Sequence, residues 1–385
     1  MNELTKLEKL IEELCPNGVE YVPLGNVCEI SKGVQFNKSD MNDEGSYPVI
    51  NGGINPSGYI EQYNQNENTI TISQGGASAG YVNWLTVKFW AGAHCYVIYP
   101  TNVLLNRYAY HFIKSQEYKL QECQYGAGIP ALAKSTVSSL LIPVPPIEVQ
   151  REIIRILDNF TELTAELTAE LTAREKQYKY YRDTLLERNM PAEKVTLDSV
   201  CEVYDGTHQT PEYTETGIPF ISVEDIDNIC ATKKFISPEA FSKFKIKPRT
   251  GDIFMTRITA GVIGKCAIVE SDDDLAYYVS LALLRPNLNV LNSRYLKHYL
   301  ESGVGKAELA KRILWNATPT KINKDDIGKL FIAIPPMAVQ ERLVRVLDNF
   351  NTICTDLNIG LPAEIEARQK QYEYYRDKLL TFKEI

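Results

Sequence analysis

The chain has 385 residues, 44% of them hydrophobic and 23% charged, and its formal net charge is −8. This length predicts at least two domains, and the lack of a long apolar run or a signal-like N-terminus predicts a cytoplasmic protein without a membrane segment. Eight scattered cysteines without a CxxC pair, and only four histidines, indicate neither a zinc site nor a disulfide framework, so we expect no metal and no cofactor.

The first segment, residues 1–141, mixes short β-rich runs, glycine and asparagine turns and short helical stretches. Thr69–Ser73 is rich in β-branched residues and predicts a strand. No Lys-Ser or Lys-Thr follows the glycine-rich run at residues 75–80, so this run predicts a turn rather than a nucleotide-binding P-loop.

The second segment, residues 142–190, has helical periodicity. Pro145 and Pro146 punctuate the end of a strand, so a helix should begin near Ile147 and continue to Arg188, a rod of roughly 60 Å. One stripe of this rod is apolar: Ile153, Ile156, Leu157, Phe160, Leu163, Leu167, Leu171, Tyr178, Tyr181 and Leu185. The rod cannot bury this stripe alone, so we expect it to pair with a second helix as an antiparallel coiled coil.

Residues 163–173 within this rod read LTAE-LTAE-LTA. One tetrad lengthens a helix by about 6 Å and turns it by about 40°. One base pair of DNA rises about 3.4 Å and turns by roughly 36°. The tetrad therefore predicts a unit for adjusting the spacing between two DNA-reading domains.

The third segment, residues 191–331, returns to the mixed pattern, with strands expected at Ile253–Thr256 and Val279–Leu284. It contains a basic cluster without an intervening acid: Lys243, Lys245, Lys247 and Arg249. Such a cluster can neutralise phosphates although the whole chain is acidic, and a solvated surface is the equally weighted alternative.

The fourth segment, residues 332–385, is helical again and supplies the expected partner stripe: Ile353, Leu357, Leu361, Ile365, Tyr372, Tyr375 and Leu379. Gly360 and Pro362 predict a kink or break in this helix.

The two helical segments repeat one another. Residues 142–160 and 332–350 are identical at ten of nineteen positions, and residues 173–186 and 367–380 at eleven of fourteen. The mixed segments match more faintly, for example at Arg107-Tyr108, His111, Arg294-Tyr295 and His298. A long repeat predicts a pseudo-two-fold axis and two similar surfaces for a two-fold target, such as duplex DNA or a pair of identical subunits.

The predicted fold class is α/β (α+β), with two globular domains, residues 1–141 and 191–331, separated by long antiparallel coiled-coil helices, residues 142–190 and 332–385. In this order and in duplicate, the motifs resemble the specificity (S) subunit of a type I restriction–modification enzyme over the whole chain. The most specific are the Pro-Pro blocks that run through a glutamine into LDNF, and the KQY-x-YYRD blocks: Pro145–Phe160, Pro335–Phe350, Lys176–Asp183 and Lys370–Asp377.

The resemblance implies that each globular domain is a target recognition domain that reads one half of a bipartite, asymmetric DNA site. It implies that the paired helices fix the unspecified spacer and that two methyltransferase (M) subunits and restriction (R) subunits join this chain. In the assembled complex those subunits methylate adenine at N6 with S-adenosylmethionine and cut DNA with ATP and magnesium. The S subunit itself is non-catalytic.

The chain lacks the Asn-Pro-Pro-Phe/Tyr motif of an adenine methyltransferase, which agrees with a non-catalytic role. Asp205 to His208 is more typical of a hydrogen-bonded loop than of a catalytic set. Two alternatives stay open. A stand-alone DNA-modifying enzyme would transfer a labelled methyl group by itself, and a structural coiled-coil adaptor would bind DNA without base specificity.

The DNA-binding candidates are side chains that suit base edges or phosphates. Gln and Asn pair with adenine, Arg pairs with guanine, and Lys contacts phosphates. On this basis the candidates are Lys32, Gln74, Gly75, Thr207, His208, Gln209, Lys243, Lys245, Arg257, Asn316 and Lys321. For any single candidate, an ordinary surface role is the competing interpretation. In the tyrosine-rich blocks helix packing is favoured, with Tyr180 and Arg182 expected to face a docked partner.

Overall fold

The computed structural model describes residues 3–42, 44–126, 128–188 and 193–385. The predicted boundary at residues 190 and 191 lies outside them. The strands are β1 Tyr21–Pro23, β2 Cys28–Lys32, β3 Tyr47–Ile50, β4 Tyr59–Ile60, β5 Thr69–Ser73, β6 Val82–Leu85, β7 Trp90–Ala91, β8 Cys95–Pro100, β9 Leu141–Pro143, β10 Lys194–Thr196, β11 Cys201–Asp205, β12 Ile218–Ile221, β13 Phe235–Ile236, β14 Ile253–Thr256, β15 Cys266–Ile268, β16 Ala276–Tyr277, β17 Leu281–Pro286 and β18 Phe331–Ala333. The helices are α1 Glu3–Leu14, α2 Leu24–Val27, α3 Asn106–Ser115, α4 Glu117–Glu122, α5 Lys134–Ser138, α6 Ile147–Arg188, α7 Pro238–Ser242, α8 Ser293–Glu301, α9 Gly303–Ala310, α10 Lys324–Gly328, α11 Met337–Thr355 and α12 Leu361–Leu379.

Internal contacts divide the chain into two compact units, which we call unit 1 (residues 1–168 and 364–385) and unit 2 (residues 169–363). The division falls inside the LTAE tetrads of α6. Each unit therefore combines one mixed segment, the LDNF helix of the same repeat and the KQY-x-YYRD helix of the other repeat. The four-segment boundaries expected from the sequence stay a prediction.

Unit 1 is built on a four-stranded antiparallel sheet in the order β2-β8-β5-β6, accompanied by the three-stranded sheet β4-β3-β7 and the pair β1-β9. Ile70, Ile72 and Ile98 are fully buried in its core, together with Tyr108 of α3. The hydrophobic effect of burying these side chains holds α3 on the sheet.

Unit 2 repeats this plan with the four-stranded antiparallel sheet β11-β17-β14-β15, the sheet β13-β12-β16 and the pair β10-β18. The structure confirms the strands predicted at Thr69–Ser73 and Ile253–Thr256. The prediction for Val279–Leu284 is wrong at its start, because the Val279 N–H donates to the carbonyl of Thr207 in a loop and the strand begins at Leu281.

Helix α6 spans 42 residues, with the bounds expected from its sequence. The predicted break in the second helical segment is also confirmed. Helix α11 ends at Thr355, and the Asp356 carboxylate accepts hydrogen bonds from the N–H groups of Asn358 and Ile359, at 2.7 and 3.1 Å. These bonds hold a turn that separates α11 from α12.

The two predicted apolar stripes are correct only in part, because four of their residues are largely exposed. Leu357 is 72% exposed because it lies beyond the end of α11. Leu163, Tyr181 and Ile353 are also largely uncovered, with exposed fractions of 44%, 40% and 44%.

Within unit 2, α11 runs antiparallel to the second half of α6. The Phe350 ring lies 5.7 Å from the Tyr181 ring. Four residues later in α11, burial raises the pKa of the Cys354 thiol, and the nearby carboxylate of Glu175 in α6 raises it further. The partner in α6 thus moves backward along the chain as α11 advances, which is the antiparallel arrangement. Within unit 1, Tyr375 of α12 stacks on Phe160 of α6 with ring centroids 5.4 Å apart. No helix in the described residues is both long and apolar enough to span a membrane.

Candidate nucleic-acid interface

A hydrogen-bonded cluster joins three elements of unit 1, and we call its four residues the unit 1 clasp: Arg107, His111, Asp158 and Tyr372. His111 of α3 is fully buried. Its Nε2 lies 2.8 Å from the Asp158 carboxylate, which also accepts a hydrogen bond from Arg107 Nε at 2.8 Å. Its Nδ1 lies 3.1 Å from the Tyr372 hydroxyl. The clasp therefore ties the α3 helix to the LDNF aspartate of α6 and to the tyrosine of α12.

Unit 2 builds the same cluster from equivalent residues, the unit 2 clasp: Tyr178, Arg294, His298 and Asp348. His298 Nε2 lies 2.7 Å from Asp348, and its Nδ1 lies 3.2 Å from the Tyr178 hydroxyl. Arg294 donates to Asp348 at 3.3 Å. The arginine and histidine that match between the mixed segments thus bond to the aspartate and tyrosine that match between the helical segments, and this arrangement occurs once in each unit.

The glutamine after each Pro-Pro pair is a structural residue. Gln150 is fully buried and accepts from the Leu105 N–H at 2.8 Å, while its amide donates to the carbonyls of Val103 and Pro145. Gln340 makes the equivalent three bonds in unit 2. Because these bonds satisfy the buried amide, each glutamine locks the start of the helix to the loop before α3 or α8.

Unit 2 contains a cleft of about 830 Å³ that brings together five of the sequence candidates: Thr207, His208, Gln209, Lys243 and Lys245. The last four are exposed. The cleft is also lined by Lys324 and by acidic side chains, including Asp205 and Glu212. Cationic and amide side chains that converge in this way suit a polyanion with hydrogen-bonding edges.

The loop after β11 gives this cleft its shape. The Thr207 hydroxyl accepts from the Gln209 N–H at 3.3 Å and donates to the Gln209 carbonyl at 3.2 Å. The Thr207 N–H in turn donates to the carbonyl of Tyr277 at 3.1 Å. The side chains of His208 and Gln209 are exposed, and His208 Nε2 lies 3.9 Å from the Asp205 carboxylate.

Tyr277 also lines the cleft, although it is not among the candidates that the sequence predicted. Its ring is buried against Phe254, and within the described residues its hydroxyl is buried without a hydrogen-bond partner. Burial raises the pKa of this hydroxyl, so it stays protonated at neutral pH. The pairing of β16 with β12 places Tyr277 beside Ile221, which is distant in the sequence, so no local sequence signal marks it.

Three candidates meet in another part of unit 2. Arg257 is 6% exposed, forms an ion pair with Asp205 and donates from Nε to the Ile322 carbonyl at 3.3 Å. Contact with a base would require this pair to open. Lys321 is half-buried and pairs through its backbone with Ile258, the residue after Arg257. Asn316 is exposed in the adjoining loop.

The remaining candidates lie in unit 1. Lys32 is exposed at the end of β2, and Gln74 and Gly75 follow the end of β5. The expectation for Arg182 is wrong, because this side chain is 8% exposed and its guanidinium lies over the Tyr178 ring at 5.4 Å. Tyr180 is 63% exposed, in agreement with its expected orientation.

Comparison with known proteins gives a consistent result. The family model described as "Type I restriction modification DNA specificity domain" matches residues 16–174 and again residues 189–367. A Haemophilus influenzae protein named for the type I restriction enzyme specificity subunits is 31% identical over 99% of both chains. A type I restriction enzyme specificity subunit of Escherichia coli is 30% identical over 99% of this chain and 98% of its own length.

Solved structures share the fold. The S subunit of a type I restriction-modification system from M. genitalium has a TM-score of 0.61 at 18% identity, covering 95% of this chain and 97% of its own. A chain from a study of complex assembly in the type I system has a TM-score of 0.62 at 19% identity, covering 95% and 98%. With two family domains in tandem and full-length relatives, this chain belongs to the type I restriction-modification DNA specificity subunits.

Proposed function

We propose that the two units of this chain read the two halves of a bipartite, asymmetric DNA site. The observation that carries this proposal is a contrast between constant and variable parts. Both units are built around the same clasp and the same buried glutamine, yet the loops that carry the candidate residues differ in sequence. Identical clasps combined with different loops suit a molecule that holds two DNA-recognition surfaces of different specificity in the same orientation within each unit.

In unit 2 the reading surface is the cleft after β11. Lys243 and Lys245 contact phosphates, and Gln209 with Thr207 contacts base edges. The support is their convergence in one cleft from segments more than thirty residues apart in the sequence. Because the net charge of the whole chain is −8, the basic cluster attracts phosphates only over the short range of its own lysines.

The chain is a non-catalytic scaffold for two M subunits, which R subunits then join. The support is a pair of surface tyrosines at equivalent repeat positions. Tyr180 and Tyr374 are 63% and 62% exposed, whereas their neighbours Tyr178 and Tyr372 are engaged in the clasps. Contacts in the clasps account for the tyrosines at positions 178 and 372, but no such packing accounts for the exposed tyrosines at 180 and 374. An identical aromatic at both positions suits two copies of one partner, because exposed tyrosines are favoured in protein interfaces.

The experiment is selection of randomised DNA duplexes by this chain assembled with its M subunit. We expect an enriched motif with two different specified halves separated by unspecified positions of fixed number. A single continuous motif, or binding without base preference, contradicts the proposal.

A further inference from the structure

One edge of the main sheet of unit 1 gathers polar groups that the clasp does not use. Strands β2 and β5 both pair antiparallel with β8, so they run in the same direction and end at the same edge. Lys32 ends β2, Gln74 follows β5 and His94 precedes β8. Lys32 and His94 are exposed and Gln74 is half-buried. In the sheet order β2-β8-β5, His94 lies between Lys32 and Gln74.

Gln74 has a fixed backbone and an unsatisfied side chain. Its N–H donates to the His94 carbonyl at 2.9 Å, and its own carbonyl accepts from the Leu132 N–H at 2.7 Å. Within the described residues its Oε1 is buried without a hydrogen-bond partner. Gln150 of the same unit makes three hydrogen bonds with its amide. A held backbone with an unpaired Oε1 leaves Gln74 with a hydrogen-bond acceptor that the fold does not use and an external group can.

The chain directly after Gln74 leaves room for that group. A Cβ placed on Gly76 would meet nothing within 4 Å, and one on Gly75 would lie 3.7 Å from its nearest neighbour, the Pro130 carbonyl. Gly76 has a φ of +82°, which a residue with a side chain rarely adopts. The two glycines thus leave open space next to Gln74, into which its side chain can turn.

The equivalent position in unit 2 holds a different side chain on the same backbone. The Arg257 N–H donates to the Ser280 carbonyl and the Arg257 carbonyl accepts from the Ile322 N–H, both at 2.9 Å. These two bonds match the two made by Gln74. The Arg257 guanidinium pairs with Asp205, which ends β11 as Lys32 ends β2. One structural position therefore differs between the units in charge and in hydrogen-bonding capacity.

We infer that Gln74 is the specificity-determining residue of unit 1 and that it reads an adenine. Because Oε1 is buried in the unbound chain, reading a base requires the Gln74 side chain to turn outward. Its Oε1 then accepts from the adenine N6 amino group while its Nε2 donates to N7, which is the paired geometry available to glutamine in the major groove. Lys32 neutralises a phosphate at the same edge. This inference rests on the proposed DNA-reading function and names the base that one unit selects.

The test exchanges the donor of Gln74 for an acceptor. Gln74→Glu keeps the side-chain size, loses the hydrogen bond to N7 and gains a preference for the N4 amino group of cytosine. In the duplex selection described above, we expect one position of one half-site to change from adenine to cytosine, with the other half-site and the spacer unchanged. Gln74→Ala should lower the preference for that adenine by about tenfold.

The matched control is Gln62→Glu, which makes the same charge change at an exposed glutamine of unit 1 and should leave the motif unaltered. The second measurement uses the wild-type chain and so does not depend on folding of a variant. Replacing adenines one at a time by 7-deazaadenine, which lacks the N7 acceptor, should weaken binding about tenfold at one adenine.

The inference is overturned if the wild type selects a bipartite motif but tolerates 7-deazaadenine at every adenine. It is also overturned if folded Gln74→Glu keeps the wild-type motif or loses affinity equally for all bases. A wild type that selects no bipartite motif contradicts the proposed function instead, so the two failures are distinguishable.

Discussion

Asp158 shows how a single residue of the LDNF motif holds one unit together. Partial burial of its carboxyl group favours the neutral form, but hydrogen bonds from His111 and Arg107 outweigh this and lower its pKa. The ionised carboxylate accepts a hydrogen bond from the Nε2–H group of His111. This leaves Nδ1 to accept a hydrogen bond from the Tyr372 hydroxyl. Asp348 has a lowered pKa for the corresponding reasons in unit 2.

Removing the clasp carboxylate should destabilise unit 1. Asp158→Ala leaves the buried Nε2 of His111 without an acceptor, so we expect the free energy of unfolding to fall by roughly 1–3 kcal/mol. Urea unfolding followed by circular dichroism measures this change. Glu162→Ala, at an exposed position one turn further along α6, is the control and should have little effect. Equal effects of the two substitutions would show that the clasp contributes nothing.

The clasp histidine should make the stability of unit 1 sensitive to mild acid. Burial lowers the pKa of His111, and the hydrogen bond to Asp158 offsets this only in part. As the pH is lowered, the unfolded chain therefore binds a proton at His111 at a higher pH than the folded chain does. The stabilisation is complete above the unfolded value, about 6.5, and is lost as the pH falls from there toward the folded pKa.

We expect the midpoint of thermal unfolding to decrease as the pH is lowered below about 6.5, and His111→Gln to flatten this dependence. The carboxylates act in a lower window, since their depressed pKa values remove stability only as the pH falls below about 3.9. Thermal melts of both proteins across this range provide the measurement. The same slope for both between neutral pH and pH 5 would exclude His111 as the source.

At the scale of elements, α6 is the part of the chain that belongs to both units. It is helical without interruption through the LTAE tetrads, where the division between the units falls. The second helical segment is instead divided into α11 and α12 by the turn at Asp356–Gly360. The uninterrupted helix is therefore the element whose length a tetrad can change in a defined step.

Deleting Thr164–Leu167 removes one tetrad and shortens α6 by about 6 Å. We expect the preferred spacer to change by about one or two base pairs while both half-sites stay the same. Duplex selection measures both properties. Replacing Thr164, Glu166 and Leu167 by alanine keeps the helix length and should preserve the spacer. An altered half-site, or an unchanged spacer after the deletion, would contradict the role of the tetrads.

For the whole molecule, the repeat predicts the stoichiometry of its complex. Tyr180 and Tyr374 occupy equivalent exposed positions, one in each unit. Tyr180→Ala or Tyr374→Ala should reduce the number of M subunits bound from two to one, and the double variant should bind none. Native mass spectrometry counts the subunits. Tyr118→Ala, at an exposed tyrosine outside the repeated motifs, is the control. Full occupancy in the double variant would place the docking surface elsewhere.

Several features could be read from the local sequence because their causes are local. The bounds of α6 follow from the Pro-Pro pair and the helical periodicity, and the break before α12 follows from Gly360 and Pro362. The family follows from the order of motifs that occur twice. The candidates near Thr207 and Lys243 were identified from their chemistry, and the structure places them in one cleft.

The sequence by itself determined the helices, the break and the duplication, because periodicity, proline geometry and repetition are properties of neighbouring residues. Only the tertiary structure decided which repeat completes which unit, since the contacts of Tyr178 with His298 and of Tyr372 with His111 span more than a hundred residues. It also buried Arg257 against Asp205 and, within the part of the chain that the structure describes, left Gln74 Oε1 without a hydrogen-bond partner. Burial and pairing depend on which distant strands meet at one sheet edge, and no local pattern encodes that meeting.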